Sequence, residues 1–283
     1  MLVGPTIRRR RLGTDLRRLR EARSLKLEYV ASRLGVAPST LSRIETGKAP
    51  TRTSYLTVML ELYGVEDPVQ RQLMMELARE GQRKGWWADT DELLPAGFGR
   101  YLGLEAEASA VRSFRAQVIH GLLQTEDYAR AVIAASRLGL APEQVDRLVA
   151  VQLRRQDVLS RGDPIRLWLV LDESALLRSM GPPEVMNRQL GRLLEASQRP
   201  EATVQVLRLS GGSHPVLSGS FSVLSFAEPA DPDVVCAEGI RGQLQLDERG
   251  TEVRAMGQVF DALSDAALGP ADSADLIRDL AGR

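Results

Sequence analysis

The sequence is short of the residues that build covalent and metal-centred chemistry. A single cysteine, Cys236, excludes an internal disulfide framework and a cysteine-cluster metal site. The two histidines, His120 and His214, lie far apart in the chain, leaving little for a histidine-paired relay or a zinc site. Aromatic residues reach only 5%, which does not favour a small-molecule pocket. Long apolar runs are missing as well. The longest, Leu167 to Leu171, holds 5 residues, far short of the roughly 18 that a membrane span needs. The opening MLVGPTIRRRR has no apolar core, so a secretory signal is not expected. Lysine is scarce, 3 against 34 arginines, a bias that points to a GC-rich genome more than to a physical demand. These absences together predict a soluble, cytoplasmic protein from a reducing compartment, with no metal and no cofactor.

What is present is enough for two cores. The chain has 283 residues, 43% of them apolar, about twice the usual domain length. A net charge of zero hides an asymmetry. Residues 1–84 carry 17 Lys and Arg against 9 Asp and Glu, and residues 85–283 carry 20 against 28. A basic N-terminal piece joined to an acidic remainder is the split expected when one part meets a polyanion.

Helical spacing runs through the basic piece: Leu12, Leu16, Leu19; Leu27, Val30, Ala31, Leu34; Leu41, Ile44; Leu56, Met59, Leu60; and a last amphipathic segment from Pro68 to Arg83. The breaks carry Gly35, Gly47 with Pro50, and Gly64. Gly35 suits a left-handed helix end, and Pro38 suits the first turn of the next helix. Helix, glycine turn, helix is the helix-turn-helix plan, with small Ala31 at the crossing and Leu41 and Ile44 turned inward. Through LRRLREARSLKLEYVASRLGVAPSTLSRIETGK this segment resembles the XRE, Cro and phage-repressor-like DNA-binding family, over about 55 residues.

The resemblance implies an internal ion pair between Arg20 and Glu45. It also places a recognition helix at Pro38, with Ser39, Thr40, Ser42 and Arg43 on its outward positions. Arginine is the commonest bidentate reader of guanine, so Arg43 is the expected base reader, with the hydroxyls beside it. Lys48 and Arg52 are the expected phosphate contacts. Two departures stand out. Leu27 replaces a glutamine that often binds phosphate, and Lys26 replaces the usual hydroxyl cap, offering phosphate a point charge without an amide's fixed geometry. The run Arg8 to Arg11 has two readings, a solvated terminus or an arm reaching phosphate or the minor groove.

The acidic piece carries less chemistry. Residues 81–100 read as a connector whose Trp86 and Trp87 are expected to be packed between domains. Leu104, Ala108, Val111 and Val118 predict a helix, Thr125 to Arg137 another, and Pro142 to about Arg161 a third. The apolar run 165–171 predicts a strand covered on both faces. Helices at 173–180 and 183–198, strands at 203–209, 220–226 and 234–239, and helices at 250–267 and 271–281 complete the pattern. A strand, a helical crossover and a strand predict a parallel pair, and the two later strands antiparallel additions.

No phosphate loop, nucleophile elbow or metal spacing occurs, and no catalytic residue is assigned. Gly97, Gly99 and Gly103 miss a dinucleotide fingerprint in spacing and follow no strand. GGSHPVLSGS (211–220) reads as a mobile loop between strands. Asp172 and Glu173 read as helix-start acids, and Cys236 as a small core residue.

HGLLQTEDYARAVIAA (120–135), with RRQDVL (154–159), LDESALLR (171–178) and VMNRQL (185–190), resembles a second family. It is the C-terminal domain of actinobacterial antitoxin-like transcriptional regulators. In many members a proline precedes the glycine that here follows His120, so the local turn is expected to differ. Leu123, Gln124, Thr125, Tyr128, Arg155 and Gln156 are the residues this resemblance marks in the regulatory, partner-binding domain.

The expected protein is mainly α. A five-helix XRE-type domain occupies 1–84, and a larger α/β (α+β) domain with a small mixed sheet occupies 85–283. The expected function is a sequence-specific, homodimeric DNA-binding transcription regulator, nucleoid-associated when bound to a palindromic operator, with a small protein partner encoded nearby. The alternatives are a ligand-sensing repressor with a pocket in the second domain, and an enzyme bearing a DNA-binding appendage.

Overall fold

The computed structural model describes residues 5–82, 85–216, 219–228, 231–239 and 242–282. Arg83, at the end of the fifth expected helix, and two residues of the expected loop 211–220 lie outside these. The chain forms two compact units, residues 1–88 with 228–231, and 89–227 with 232–283.

The first unit is helical: α1 (Pro5–Ala22), α2 (Leu27–Leu34), α3 (Pro38–Glu45), α4 (Thr53–Leu62) and α5 (Pro68–Gly81). Leu12, Leu16, Val30, Ala31, Leu41, Ile44, Leu56, Met59 and Leu60 form its core. Gly35 ends α2 at φ 66°. The Val36 N–H bonds the Ala31 carbonyl at 3.0 Å, and the Gly35 N–H bonds Ser32 at 3.2 Å. That paired closure needs a left-handed residue, which glycine adopts without strain. Pro38 and Pro68 open α3 and α5, where their missing N–H groups cost nothing. Asp67 caps α5 through the Val69 and Gln70 amides. After α5, Trp87 is buried and meets Trp86 edge to face, with ring centroids 5.5 Å apart.

The second unit is built on a mixed six-stranded sheet in the order β3-β2-β1-β4-β5-β6. β1 (Ala110–Arg115) pairs in parallel with β2 (Arg166–Asp172), and β2 with β3 (Ala202–Leu207). β4 (Ser220–Ser225), β5 (Val234–Glu238) and β6 (Leu244–Asp247) continue antiparallel from the other side of β1. The crossovers carry α7 (Glu126–Ser136) and α8 (Pro142–Arg154) between β1 and β2, then α9 (Glu173–Leu177) and α10 (Pro183–Ser197) between β2 and β3. α6 (Phe98–Glu105) precedes β1, and α11 (Gly250–Ala266) and α12 (Pro270–Ala281) follow the sheet. One sheet face buries Phe114, Val170, Phe221, Val223 and Val235 against Phe260 and Leu263 of α11. The opposite pleat carries Ser113, Arg115, Ser222, Cys236 and Glu238, with the Ser113 and Ser222 hydroxyls 2.9 Å apart.

Three expectations change. The helix expected from Leu104 through Val118 does not form: α6 stops at Glu105, and 110–115 is the strand that joins the two halves of the sheet. Val111 and Phe114 point to opposite faces there, and only cross-strand partners reveal them as strand residues. The edge strand β6, four residues long, was not expected at all. β2 is covered on both faces only in its second half. Leu169, Val170 and Leu171 are buried, but Arg166 is exposed and Trp168 is 39% exposed. The architecture is otherwise the expected one, mainly α with an α+β second unit.

Candidate nucleic-acid interface

α3 has two unlike faces. Leu41, Ile44 and Glu45 are buried. Pro38, Ser39, Ser42 and Arg43 are exposed, and Thr40 is half-buried. This outward strip of two hydroxyls and a guanidinium follows directly from the helical period: the residues that do not hold the core remain for a partner. Lys26, Lys48 and Arg52 are exposed as well. Lys26 is the N-cap of α2, with extended backbone and no side-chain cap bond, so the sequence departure there leaves an ammonium at a helix start. Arg52 precedes α4, its guanidinium 5.5 Å from the Tyr55 ring centre. Neither Arg43 nor Lys48 pairs with a carboxylate among the described residues. By contrast, Arg17 and Arg18 of α1 bond Glu21 and Asp15.

The placement of α3 is set by two contacts. Arg20 of α1 bonds Glu45 in bidentate fashion, Nε to Oε1 at 2.7 Å and Nη2 to Oε2 at 2.9 Å. Its remaining Nη1 donates to the Leu25 carbonyl at 2.9 Å, tying the α1–α2 turn to the same cation. The hydrogen bonds that Arg20 donates to the Glu45 carboxylate hold its pKa above the usual arginine range. Gly13 supplies the second contact, which the sequence reading missed. A Cβ at Gly13 would lie 2.5 Å from the Ile44 carbonyl oxygen and 2.7 Å from that of Glu45. α1 therefore crosses the end of α3 at backbone distance. The available signal was a lone glycine inside an otherwise helical pattern, which points to close packing.

The basic run is not a free arm. Its residues lie within α1, where Arg8 pairs with Glu80 and Arg9 donates to the Gly81 carbonyl at the end of α5. Arg10 is buried. Both readings of the run give way to one in which Arg8 and Arg9 fasten α1 to α5 and Arg11 bonds Asp231.

The six residues marked in the second unit come together, but mostly inside it. Leu123, Gln124, Tyr128 and Arg155 are buried, so a docked protein would not touch them. Gln124 donates to the Ile119 carbonyl and the Ile119 N–H bonds the Tyr128 hydroxyl. Thr125 caps α7, and Gln156 donates to the Gly121 and Gln124 carbonyls. Together they fasten segment 119–125, whose turn starts at His120 with Nδ1 accepting from Leu122. Burial, with Arg115 and Arg155 nearby, holds the His120 pKa well below 6.5.

Arg155 bonds Glu105 at 2.8 and 2.6 Å, with the Tyr101 hydroxyl donating to the same carboxylate at 2.8 Å. Sequence reading did not find Glu105, because its partner lies 50 residues away. Beside this cluster is a cavity of about 140 Å³. Elsewhere, Asp172 caps α9 and Cys236 is a core residue whose thiol burial pushes up to about 12, in keeping with the roles the sequence suggested.

Residues 11–74 match the family profile described as a helix-turn-helix domain, the DNA-binding module whose helices α2 and α3 have just been described. No curated protein and no solved structure matches the chain. Residues 98–279, more than half of the chain, match the profile described as domain of unknown function DUF5753, and the protein belongs to that family.

Proposed function

We propose that the protein is a cytoplasmic, sequence-specific transcription regulator that binds a palindromic operator as a homodimer. The observation that carries this reading is the outward strip of α3, where Ser39, Ser42 and Arg43 are exposed opposite the buried Leu41, Ile44 and Glu45. In this reading α3 enters the major groove with Pro38 at its leading end. Arg43 reads guanine through O6 and N7, and Ser39, Thr40 and Ser42 contact bases or phosphates beside it. Lys26, Lys48 and Arg52 hold phosphates and fix the register. Arg20 and Glu45 position the helix without touching DNA. One recognition helix spans only a half-site, which is why a two-fold pair is proposed. Selection from a random duplex pool by the full-length protein should enrich an inverted repeat with half-sites about 10 bp apart. Enrichment of no sequence counts against the reading.

The second unit is proposed to dimerise and to bind a small protein encoded nearby, on the strength of the resemblance to antitoxin-like regulators. Co-purification of a stoichiometric small protein from the native host tests this. A second reading, a repressor that senses a small molecule, is favoured by the cavity beside Arg155. We assign the chain no enzymatic activity.

A further inference from the structure

The cavity of the second unit has apolar walls: Phe98 and Tyr101 from α6, Ile133 from α7, Leu148 and Val151 from α8. At about 140 Å³ it is close to the engineered apolar cavity of about 150 Å³ that admits benzene. Apolar walls alone would leave its occupant undefined. The polar groups among them are more informative.

Arg155 and Arg115 both line it, yet each already faces a carboxylate, Glu105 for Arg155 and Glu238 for Arg115. The buried charges therefore cancel, and an ionic ligand would find no uncompensated partner among them. The remaining lining cation, Arg137, is half-buried and donates to the Leu93 carbonyl. What the cluster lacks is acceptors. Gln152 is more than nine-tenths buried; its Oε1 accepts from Arg155, but its Nε2 has no partner. Arg115 Nε is likewise buried and unpartnered. A buried donor without a partner is costly, and a ligand oxygen relieves it. Room for the Gln152 amide comes from Gly121, where a Cβ would fall 2.2 Å from Gln152 Nε2 and 2.6 Å from Arg155 Nη1.

We infer that this cavity binds a small neutral molecule with an apolar body and a carbonyl-type oxygen, the oxygen accepting from Gln152. The inference deepens the second of the two readings above and rests on it.

Calorimetric titration of the full-length protein, without DNA, against four probes of one shape tests it: acetophenone, ethylbenzene, benzoate and benzylamine. Acetophenone should bind tightest, about fivefold over ethylbenzene for one net hydrogen bond. In Gln152→Leu that advantage should vanish while ethylbenzene still binds. In Ile133→Phe, at a half-buried position on the wall, both should weaken with the melting temperature kept. Equal binding of acetophenone and ethylbenzene, or no heat with either, overturns the inference. Tightest binding of benzoate also overturns it, by shifting recognition to Arg137. A mobility shift on the selected operator, run on the same preparation with and without acetophenone, separates the two failures. No DNA binding in either condition counts against the regulator itself, whereas operator affinity unmoved by a bound probe counts against sensing alone.

Discussion

Each unit contains a buried, bidentate arginine–glutamate pair, and the two differ in what lies around them. Arg20–Glu45 sits between packed helices, its side chains 11% and 3% exposed, and the third guanidinium nitrogen of Arg20 donates to the Leu25 carbonyl. Arg155–Glu105 is deeper, 5% and 1% exposed. The rings of Phe98 and Tyr101 stand 5.4 and 5.3 Å from its guanidinium, and a cavity opens alongside. The same pairing thus acts as a clamp between chain segments in one unit and, through Arg155, stands at the wall of a cavity in the other. A buried pair adds little net stability over an apolar replacement, but removing one partner strands a charge. What the stranded charge can then reach is where the two pairs part.

The largest effect follows from that difference. Glu105→Ala should cost about 3–5 kcal/mol, since Arg155 keeps no bidentate partner, only Gln152, two rings and the more distant Glu238 carboxylate. Glu45→Ala should fall at or below the lower end of that range, because Arg20 retains a backbone acceptor and partial access to water. Hydrogen exchange in denaturant, read separately over residues 11–74 and 98–279, measures both. Equal losses would remove the contrast.

A second comparison uses one glycine from each unit. Gly13→Ala forces a methyl against the Ile44 and Glu45 carbonyls and should cost about 1–3 kcal/mol. Gly191→Ala, inside α10 with nothing within 4 Å of the added carbon, should stabilise by about 0.5–1 kcal/mol. Thermal unfolding of the two variants decides. A neutral Gly13→Ala would mean that α1 can lift off α3, and operator affinity should then fall without loss of fold.

The two units were not equally legible. In the first, nearly everything is local: each helix follows from its own period and most ends from a glycine or proline, so the turn from Gly35 to Pro38 that joins α2 and α3 could be placed. Gly13 escaped because its meaning depends on α3, some 30 residues away. In the second unit the sheet is built from distant partners. AVRSFR has an arginine or serine at every point where a strand pattern would need support, and only β2 and β4 on either side make it the central strand. Glu105 lay unremarked within the helix expected from Leu104 through Val118, and its pairing with Arg155 depends on a crossover no local rule specifies. Leu123, Gln124, Tyr128 and Arg155 stood out in the sequence for a motif, and their burial shows that the motif holds a turn in place.

His120 sharpens the picture of the second unit as a site with no spare acceptors. It is fully buried, and burial together with Arg115 and Arg155 depresses its pKa well below 6.5. Below pH 6.5 the unfolded chain takes up a proton that the folded chain refuses. Stability should therefore be complete above that pH and decline by about 1.4 kcal/mol per unit as pH falls toward the folded pKa. Chemical denaturation between pH 7 and 5 should show this slope in wild type and lose it in His120→Gln. An unchanged slope in the variant would assign the proton elsewhere.

The first unit divides in the same spirit into groups that read and groups that hold. Arg43→Ala should cost about 1–3 kcal/mol of operator affinity and relax one base preference in a repeated selection. Lys48→Ala and Arg52→Ala should cost less and weaken all sequences alike. Each should lower the slope of log affinity against log salt by about 0.9, the counterion released by one phosphate contact. The two measurements are independent, because sequence preference carries no information about phosphates and the salt slope carries none about bases. Arg52 is the finer case, since its guanidinium lies 5.5 Å from the Tyr55 ring centre and must stay there or leave to meet DNA. If it stays, Tyr55→Ala should lower the salt slope along with Arg52→Ala; if it leaves, Tyr55→Ala should leave the slope unchanged. A shifted base preference in Lys48→Ala would place that residue in the groove and move the reading edge of the domain past the end of α3.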